Sequence, residues 1–308
     1  MILTVTANPA VDRVYFVTDF VMGEVRRPLS MKYTAGGKGL NVARVSKIMG
    51  AQVGAMGFVG GYNGEFIKNE IEKLGIKNEF TQIKGETRNC VNISDERGVS
   101  GEILEKGPEV SQNEAEAFLE SFKENLEKYD IITVSGSLPQ GLDSSFYLKL
   151  IECAKKMGKR IIVDTSGPTL KDVIKAKPYM VKPNRDELSA YLGRSVESLS
   201  DVSDALKILM DEGIEVPMVS LGKDGAMACI EGRIYKFATP CVNAKNTVGS
   251  GDSTIAGIVT GLDRGMSVID AIKLGMASGT ANTQFEETGL VSCELVEKYY
   301  IEVNVTEW

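Results

Sequence analysis

The sequence of 308 residues contains no histidine, and this absence restricts the chemistry available to the chain. Without imidazole, neither a Ser-His-Asp nor a Cys-His catalytic group can form, and a zinc site with histidine ligands is impossible. Any general base must then be Asp, Glu, Lys, Tyr or Cys. Serine and cysteine hydrolases built on a histidine base are therefore excluded.

Paired cysteines and long apolar runs are also missing. Five scattered cysteines form no CxxC pair, which argues against a disulfide framework and against a thiolate metal site. The most apolar stretches, such as residues 131–134, are only as long as a strand, so we expect no membrane span. The N-terminus has no basic region and no long apolar segment, which is typical of a first strand and not of a signal peptide. We therefore expect a cytoplasmic protein.

Excess positive charge is absent as well. The net charge is −7, which argues against general nucleic-acid binding, although a local basic cluster can still hold a phosphorylated small molecule. The composition, 43% apolar and 25% charged, is that of an ordinary soluble globular protein. Because no repeat, low-complexity tract or flexible linker interrupts the chain, we expect one domain over residues 1–308.

Strand and helix patterns alternate along most of the chain. Apolar strand-like runs at 53–59, 131–134 and 161–163 are separated by helical patterns at 64–74, 112–128 and 144–157. This alternation predicts an α/β fold with a mostly parallel sheet flanked by helices. Runs near 226–237 predict a hairpin in the same sheet, and helices are expected at 268–285 and 292–300. Ligands of such sheets bind at the carboxyl ends of the strands, where we also place Asp12, in a turn after the first strand.

One segment breaks this alternation. Residues 85–104 are typical of a hairpin around a polar turn at 94–100, and extended pieces lie near residues 13–32. Together these insertions, about 13–34 and 86–106, are expected to build a small β-sheet that acts as a lid over the ligand edge. A lid with one exposed apolar face needs a partner, so we expect a homodimer through the lid.

Two glycine-rich turns each lead directly into a helical pattern. The first is Gly36-Gly37-Lys38-Gly39, and the second is Gly249-Ser250-Gly251, followed by Asp252. Free amides and the helix dipole make helix N-termini favourable for anions. The first turn is not a Walker A loop, and a plain close-packed turn and a ligand site both remain open for it. Asp252 either caps its helix or removes a proton from an attacking hydroxyl, and the missing histidines favour the second role.

The pair of turns, in a chain with this order of strands, resembles the two signatures of the ribokinase-like (PfkB) sugar kinases, and the resemblance covers essentially the whole chain. Segments 84–90, 102–109 and 134–139 resemble the tagatose-6-phosphate kinase branch, with the bacterial 1-phosphofructokinases close by. The resemblance implies phosphorylation of a ketohexose phosphate to its 1,6-bisphosphate with ATP and Mg²⁺. D-tagatose 6-phosphate is the expected substrate, and fructose 1-phosphate is the alternative.

Two hypotheses of other classes also stand beside the kinase. A sugar-phosphate sensor that kept the fold without catalysis is one, but the retained Asp252, Asn184 and Glu187 argue against it. A dinucleotide-binding dehydrogenase is disfavoured, because no GxGxxG motif follows the first strand.

The resemblance also implies roles for individual residues. Asp252 is the catalytic base, and the amides of Gly249, Ser250 and Gly251 form the anion hole for the transferred phosphoryl group. Asp12 and Asn41 bind sugar hydroxyls, while Gly36 and Gly37 let the backbone approach the sugar. The residues expected at the phosphate already on the substrate are Lys38, Arg88, Arg26 and, facing the same pocket, Ser137.

The remaining roles concern the nucleotide and the metal. Asn184 and Glu187 match the family's Asn-x-x-Glu motif for Mg²⁺, with Glu187 acting largely through water; outside the family the same spacing usually means a helix capping box. The residues expected at the nucleotide are Lys182, Ser220, Gly222, Lys223, Gly225 and Asn282. Asn246 stands where many members carry Asp, a change that favours the phosphosugar branch.

Overall fold

A computed structural model describes residues 1–98 and 101–308 of the chain. The first half contains, in chain order, β1 (Ile2–Thr6), β2 (Ala10–Phe16), β3 (Ser30–Gly36), α1 (Lys38–Ile48), β4 (Val53–Val59), α2 (Gly61–Lys73), β5 (Lys77–Asn78), β6 (Thr81–Gln82), β7 (Arg88–Asp95), β8 (Gly98–Leu104), α3 (Gln112–Asn125) and β9 (Ile131–Ser135). The second half contains α4 (Ser144–Lys156), β10 (Arg160–Asp164), α5 (Gly167–Lys175), β11 (Met180–Val181), α6 (Arg185–Leu192), α7 (Leu199–Asp211), β12 (Val216–Ser220), β13 (Ala226–Ile230), β14 (Arg233–Ala238), α8 (Ser250–Asp263), α9 (Val268–Asn282), α10 (Cys293–Glu302) and β15 (Asn304–Glu307).

The main sheet confirms the predicted α/β fold. Its strands follow the order β15-β14-β13-β12-β11-β10-β9-β1-β4-β5, and β6 also pairs with β4. Strands from β12 to β5 run parallel, whereas β13, β14 and β15 extend the sheet antiparallel. Because they run parallel, the carboxyl ends of β1, β9, β10, β11 and β12 lie at one edge of the sheet, which is where ligands of such sheets bind.

Helices cover both faces of the main sheet. On one face, α1, α2, α8, α9 and α10 bury residues such as Leu40 and Ile258, and on the other, α3 to α7 bury residues such as Phe118 and Leu206. The buried strand β1 alternates between the two layers, since Ile2 packs into the first and Leu3 into the second. Two apolar layers therefore fix both faces and leave the strand ends for ligands.

The predicted separate sheet is also confirmed. Its strands follow the order β3-β2-β7-β8, with β2 and β7 parallel and the other pairs antiparallel. We call this four-stranded unit the small sheet. The hairpin turn is shorter than the predicted 94–100, because β7 continues to Asp95 and β8 begins at Gly98; the last two residues of that prediction, 99 and 100, lie outside the described residues.

Two local predictions were wrong, and one strand was missed. Asp12 lies inside β2 of the small sheet, and not in a turn, because Ala10–Phe16 pairs with both β3 and β7. Helix α2 begins at Gly61, earlier than the predicted residue 64, because the distant Glu86 carboxylate accepts hydrogen bonds from the Tyr62 and Asn63 amides. The edge strand β15 was not predicted. Among the described residues, no helix combines the length and the apolar character needed to cross a membrane.

Candidate active site

The start of α8 forms an anion site. Gly249 is the N-cap in the left-handed region at φ 80°, and a Cβ there would lie 2.6 Å from Thr288 Cγ2, so glycine is required. Within the described part of the chain, the amides of Gly251 and Asp252 have no protein acceptor, whereas the Ser250 amide donates to Thr247 O at 3.3 Å. The Gly249 amide has no acceptor among the described residues either, so two of the three predicted amides, those of Gly249 and Gly251, are free. The free Asp252 amide adds a third donor, and such donors suit an oxyanion.

Asp252 does not cap this helix. Its side chain makes no capping hydrogen bond, and its Oδ2 instead accepts a hydrogen bond from Asn41 Nδ2 at 2.8 Å. The residue is only 7% exposed. The capping alternative is thus removed, and the geometry leaves a buried carboxylate that faces the start of α1.

The environment of Asp252 raises its pKa to about 7. Burial is the main cause and the Asp164 charge adds to it, while the Asn41 hydrogen bond and the charges of Lys38 and Lys182 oppose the shift. A general base works best when its pKa lies near the operating pH. Asp252 meets that condition without a histidine.

Asp164, at the end of β10, joins two lysines. Its Oδ1 lies 3.6 Å from Lys182 Nζ, and its Oδ2 lies 3.8 Å from Lys38 Nζ. The Asp164 charge raises the pKa of Lys38, so that lysine stays protonated. A Cβ on Gly251 would lie 3.5 Å from Lys182 Nζ, which places this ammonium beside the free amides. Two cations therefore border the space in front of α8.

The structure brings two residues with different predicted roles together. Lys182 is predicted at the nucleotide and Lys38 at the phosphate already on the substrate, and both ammonium groups lie at Asp164. Both roles stay predictions. Asp164 itself was not assigned a role from the sequence, where it is one of several acidic residues after a strand.

The small sheet brings Asp12 against the first glycine-rich turn. A Cβ on Gly36 would lie 2.1 Å from Asp12 Oδ2, so only glycine fits at this position. Burial raises the pKa of Asp12 to about 6, while the charges of Arg44 and Arg88 and a hydrogen bond with the Cys90 side chain pull it down. Asp12 therefore lies against Gly36, and the Asn41 amide donates to Gly37 O at 3.0 Å, while the recognition of sugar hydroxyls by these residues stays a prediction.

Arg88 and Ser137 are joined through Asn8. Arg88 donates from Nε and Nη2 to Asn8 O, at 3.2 and 3.0 Å, and from Nη1 to Glu105 O at 2.9 Å. The Asn8 Nδ2 group lies 3.4 Å from Ser137 Oγ. Arg88 also lines a cavity of about 370 Å³ together with Lys106. These contacts bring the two predicted residues to one region.

Arg26 has a different environment. It lies in the loop between β2 and β3, donates to Asp19 O at 3.2 Å and pairs with Glu24 Oε2 at 2.6 Å. None of its described contacts is with Lys38 or Arg88. Its predicted role at the substrate phosphate stays a prediction that the contacts within one chain do not favour.

Asn184 and Glu187 form a capping box at the start of α6. Asn184 Oδ1 accepts from the Glu187 amide at 2.8 Å, and Glu187 Oε2 accepts from the Asn184 amide at 2.9 Å. Glu187 also contributes to the raised pKa of Lys38, so its charge faces the same edge. Among the described residues, no three acidic, histidine or cysteine side chains cluster tightly enough to hold a metal ion alone. These oxygens fit an ion such as Mg²⁺, which keeps waters and binds few protein ligands.

The other predicted nucleotide residues lie in the next turn along the sheet. Ser220 ends β12, and its amide donates to Pro183 O at 3.0 Å, close to Lys182. A short 3₁₀ helix, Gly222–Asp224, follows and includes Lys223. Gly225 has φ 91°, and a Cβ there would lie 1.8 Å from Phe237 O. Packing alone therefore requires glycine at this position, independently of its predicted role at the nucleotide.

Asn282 is fully buried at the end of α9. Its Oδ1 accepts from Ser253 Oγ and from the Gly289 amide at 3.1 and 2.9 Å, and its Nδ2 donates to Val248 O at 3.0 Å. These bonds tie the second glycine-rich turn to the end of α9. Contact with adenine stays a prediction, and the full burial of the side chain does not favour it.

The model of the pfkB family carbohydrate kinases matches residues 5–293, which is most of the chain. The chain belongs to the PfkB family of carbohydrate kinases. It is therefore a sugar kinase, which transfers a phosphoryl group to an alcohol acceptor.

Solved structures of PfkB kinases resemble this one along their full length. A candidate phosphofructokinase from Staphylococcus aureus has 33% identity and a TM-score of 0.88, covering 100% of this chain and 99% of its own. Phosphofructokinase-2 from Escherichia coli, in complex with fructose 6-phosphate, has 27% identity and a TM-score of 0.89, with 98% of both chains covered. A candidate 1-phosphofructokinase from Thermotoga maritima has 28% identity and a TM-score of 0.90, covering 100% and 99%.

Sequence reasoning missed one further residue of this PfkB site. Arg44, on α1, donates from Nη1 to Asn41 Oδ1 at 3.1 Å and to Thr288 O at 3.2 Å. Its position one turn after Asn41 was the available signal, since residues three apart share a helix face. The partners across the fold gave no sequence signal.

Proposed function

We propose that the chain transfers the γ-phosphoryl group of ATP, in the presence of Mg²⁺, to a ketohexose phosphate and releases the 1,6-bisphosphate. The observation that carries this proposal is the buried Asp252, whose pKa is raised to about 7 and which lies beside free helix amides. A sugar kinase needs such a base together with positive charge for the transferred group. D-tagatose 6-phosphate is the proposed preferred substrate.

The proposed chemistry assigns one task to each group. Asp252 accepts the proton of the sugar hydroxyl as its oxygen attacks the γ-phosphorus, and ADP leaves on the opposite side. The amides of Gly251 and Asp252, with the ammonium groups of Lys38 and Lys182, balance the charge of the moving phosphoryl group. Mg²⁺, held by Asn184 and Glu187 largely through water, would neutralise charge on the nucleotide phosphates.

Recognition of the substrate is proposed to use the small sheet. Asp12 and Asn41 bind sugar hydroxyls, since a carboxylate and an amide each offer two polar contacts. Arg88 is already oriented by the Asn8 and Glu105 carbonyls, and it keeps N–H groups for the phosphate on the sugar. The fructose 6-phosphate complex of the similar E. coli protein supports a phosphorylated ketohexose as the substrate class.

The small sheet is further proposed to act as a lid and to pair with a second copy. Its outer surface leaves large apolar side chains exposed, among them Met31 at 55%, Tyr33 at 43% and Ile103 at 62%. Exposed apolar patches of this kind mark association surfaces. A homodimer through these strands would cover them.

A kinetic comparison of three sugars tests the proposed function. ADP release is measured with ATP and Mg²⁺ and with tagatose 6-phosphate, fructose 6-phosphate or fructose 1-phosphate as acceptor. We expect the highest kcat/KM for tagatose 6-phosphate. A higher value for fructose 1-phosphate would support the 1-phosphofructokinase alternative.

The matched control is the Asp252→Asn variant, assayed with the same three sugars. Release of ADP at the wild-type rate by this variant would point to a contaminating kinase or to another base. If the wild-type protein binds a sugar phosphate in calorimetry but releases no ADP with any of them, the sensor hypothesis replaces the kinase.

A further inference from the structure

Arg44 links the two glycine-rich turns. Besides its contacts with Asn41 and Thr288, it donates from Nη2 to Ala35 O. Ala35 precedes Gly36 in β3 of the small sheet, and Thr288 precedes Gly289, whose amide binds Asn282 behind the α8 turn. One guanidinium therefore contacts the small sheet, α1 and the segment that supports α8.

The contacts of Arg44 determine which way the Asn41 amide faces. A guanidinium has only donors, so the Asn41 atom that faces it must be the carbonyl oxygen. The NH₂ group of Asn41 must then point the other way, where it donates to Asp252 Oδ2 at 2.8 Å. A flipped amide would place an oxygen against the carboxylate, which is repulsive. Arg44 thus selects the amide orientation that favours an ionised Asp252.

We propose that Arg44 is a positioning residue for phosphoryl transfer, which holds the Asn41 amide on Asp252 and ties this pair to the small sheet. The proposal rests on the proposed function, because Asp252 is the base of that reaction. Arg44 touches neither the sugar nor the phosphoryl group in this scheme, and it acts through Asn41. Its effect is therefore expected in kcat more than in the KM for ATP.

The charge of Arg44 has a second effect on the same site. Arg44 is the largest of the influences that lower the pKa of Asp12, ahead of Arg88 and the Cys90 hydrogen bond, while burial and Glu102 raise it. A lysine at position 44 keeps this positive charge but loses the planar fork that reaches several acceptors at once. The Arg44→Lys variant therefore separates the geometric role from the charge.

The test is a double-mutant cycle with Arg44→Lys, Asn41→Ala and the two combined, measured as kcat with the preferred sugar. Losing the oriented hydrogen bond to a charged group should lower kcat about 10-fold in Arg44→Lys. In the Asn41→Ala background the same substitution should have little effect, because the amide that it positions is gone. An equal loss in both backgrounds would overturn the proposal, and so would a wild-type kcat in Arg44→Lys.

Arg264 provides the matched control. It donates to Met49 O and so joins the far ends of α8 and α1, the same two helices. Arg264→Lys should change thermal stability but leave kcat at the wild-type value. A similar loss of kcat in both arginine variants would mean that Arg44 acts only by stabilising the helix pair, which also overturns the proposal.

A second readout is independent of turnover. The unfolding free energies of the wild type, Arg44→Lys and Asn41→Ala are each compared with that of the same protein carrying Asp252→Asn. The pH dependence of this difference gives the pKa of Asp252. The Asn41 hydrogen bond lowers the pKa of Asp252, so loss of this bond in Arg44→Lys and in Asn41→Ala should raise that pKa. The other charged groups that act on Asp252, which are Asp164, Lys38 and Lys182, are the same in both variants. No rise in Arg44→Lys would refute the positioning role. If the wild-type protein phosphorylates no sugar yet this rise is seen, the proposed function fails and with it the role in phosphoryl transfer, while Arg44 still orients the Asn41 amide on Asp252.

Discussion

The two glycine-rich turns look alike in the sequence but differ in what surrounds them. In the first, a Cβ on Gly39 would lie 2.3 Å from Thr6 Oγ1, and one on Gly37 would lie 2.8 Å from Thr6 Cγ2. In the second, among the described residues, a Cβ on Gly251 would meet only the Lys182 ammonium, at 3.5 Å, an ordinary contact distance. The first turn is glycine-rich because the chain packs against it, whereas Gly251 leaves space that the protein does not fill.

This contrast separates two reasons for glycine in a binding loop. Gly36, Gly37 and Gly39 bring the start of α1 close to β1 and to Asp12. Gly251 keeps the face of the free amides open to a ligand. Gly249 belongs with the first group, because Thr288 crowds it. Substitutions should therefore affect folding at the crowded glycines, Gly249 included, and catalysis at Gly251.

The largest effect on kcat is expected for substitution of Asp252, at the second turn. Replacing Asp252 by Asn should lower kcat by about two to three orders of magnitude, the scale of a lost general base, while the hydrogen bond with Asn41 is kept. Steady-state ADP release measures this. A folded variant with nearly normal turnover would remove Asp252 from the chemistry.

The same substitution should stabilise the protein at alkaline pH. The pKa of Asp252 is raised from 3.8 to about 7 in the folded state, so folding favours its protonated form, and this contribution is lost as the pH rises through 7. The asparagine side chain in Asp252→Asn carries no charge, so the variant should unfold at a higher temperature than the wild type above pH 8, with no difference below pH 4. Thermal unfolding of both proteins between pH 4 and pH 8 measures whether the variant is the more stable one at high pH.

The next largest effect is expected for Gly251→Ala, which should lower activity without lowering stability. The new methyl group would fill the gap between the helix amides and Lys182, so kcat should fall about 100-fold, similar to the loss of an oxyanion donor. Because alanine is the better helix former, the unfolding free energy should stay the same or rise by about 0.5–1 kcal/mol. Kinetics and urea unfolding of one preparation test both parts. Loss of stability together with activity would show that this turn is packed after all.

Gly39→Ala should behave in the opposite way. Its Cβ would be 2.3 Å from Thr6 Oγ1 and 2.9 Å from Val5 O, and the central strand β1 cannot move aside easily. Overpacking of this kind costs about 1–3 kcal/mol, visible as a lower urea midpoint. An unchanged urea midpoint would show that the first turn is not packed more tightly than Gly251 in the second turn.

The smallest expected effect is a shift in pH dependence. Asp164 raises the pKa of Asp252, so Asp164→Asn should lower that pKa and move the acidic limb of kcat/KM to lower pH. The rate at the optimum should also fall, since both lysines lose their partner. If the acidic limb of kcat/KM keeps its position while the rate falls, Asp164 acts only by holding the two lysines and does not set the pKa of Asp252.

Local patterns were enough to predict much of this fold. The strand and helix alternation, the hairpin of the small sheet and the two helix starts depend on periodicity within a few residues, and all of them are present. The strand β15 was missed because four residues, three of them polar, carry no strand pattern and are ordered by pairing with β14. The start of α2 was misplaced because its cap, Glu86, comes from another part of the chain.

The same limit applies to the site. Asp252, Asn41 and Asp12 were predicted from motifs, but Asp164 and Arg44 carry no motif and gain their roles from neighbours in space. The Asn184 and Glu187 pair shows the converse, since its capping function was readable from spacing alone. Sequence patterns find the groups that a ligand touches more readily than the groups that hold them in place.

The hydrogen bond between Asn41 and Asp252 spans 211 residues of the chain. It forms between the starts of α1 and α8, and the second of these is held by Asn282 and Gly289, still later in the sequence. During synthesis, the segment that carries Asn41 therefore emerges long before the carboxylate that it contacts. The nascent chain can complete β1, β4 and β9 early, but this hydrogen bond and its support can form only after the segment through Gly289 has left the ribosome.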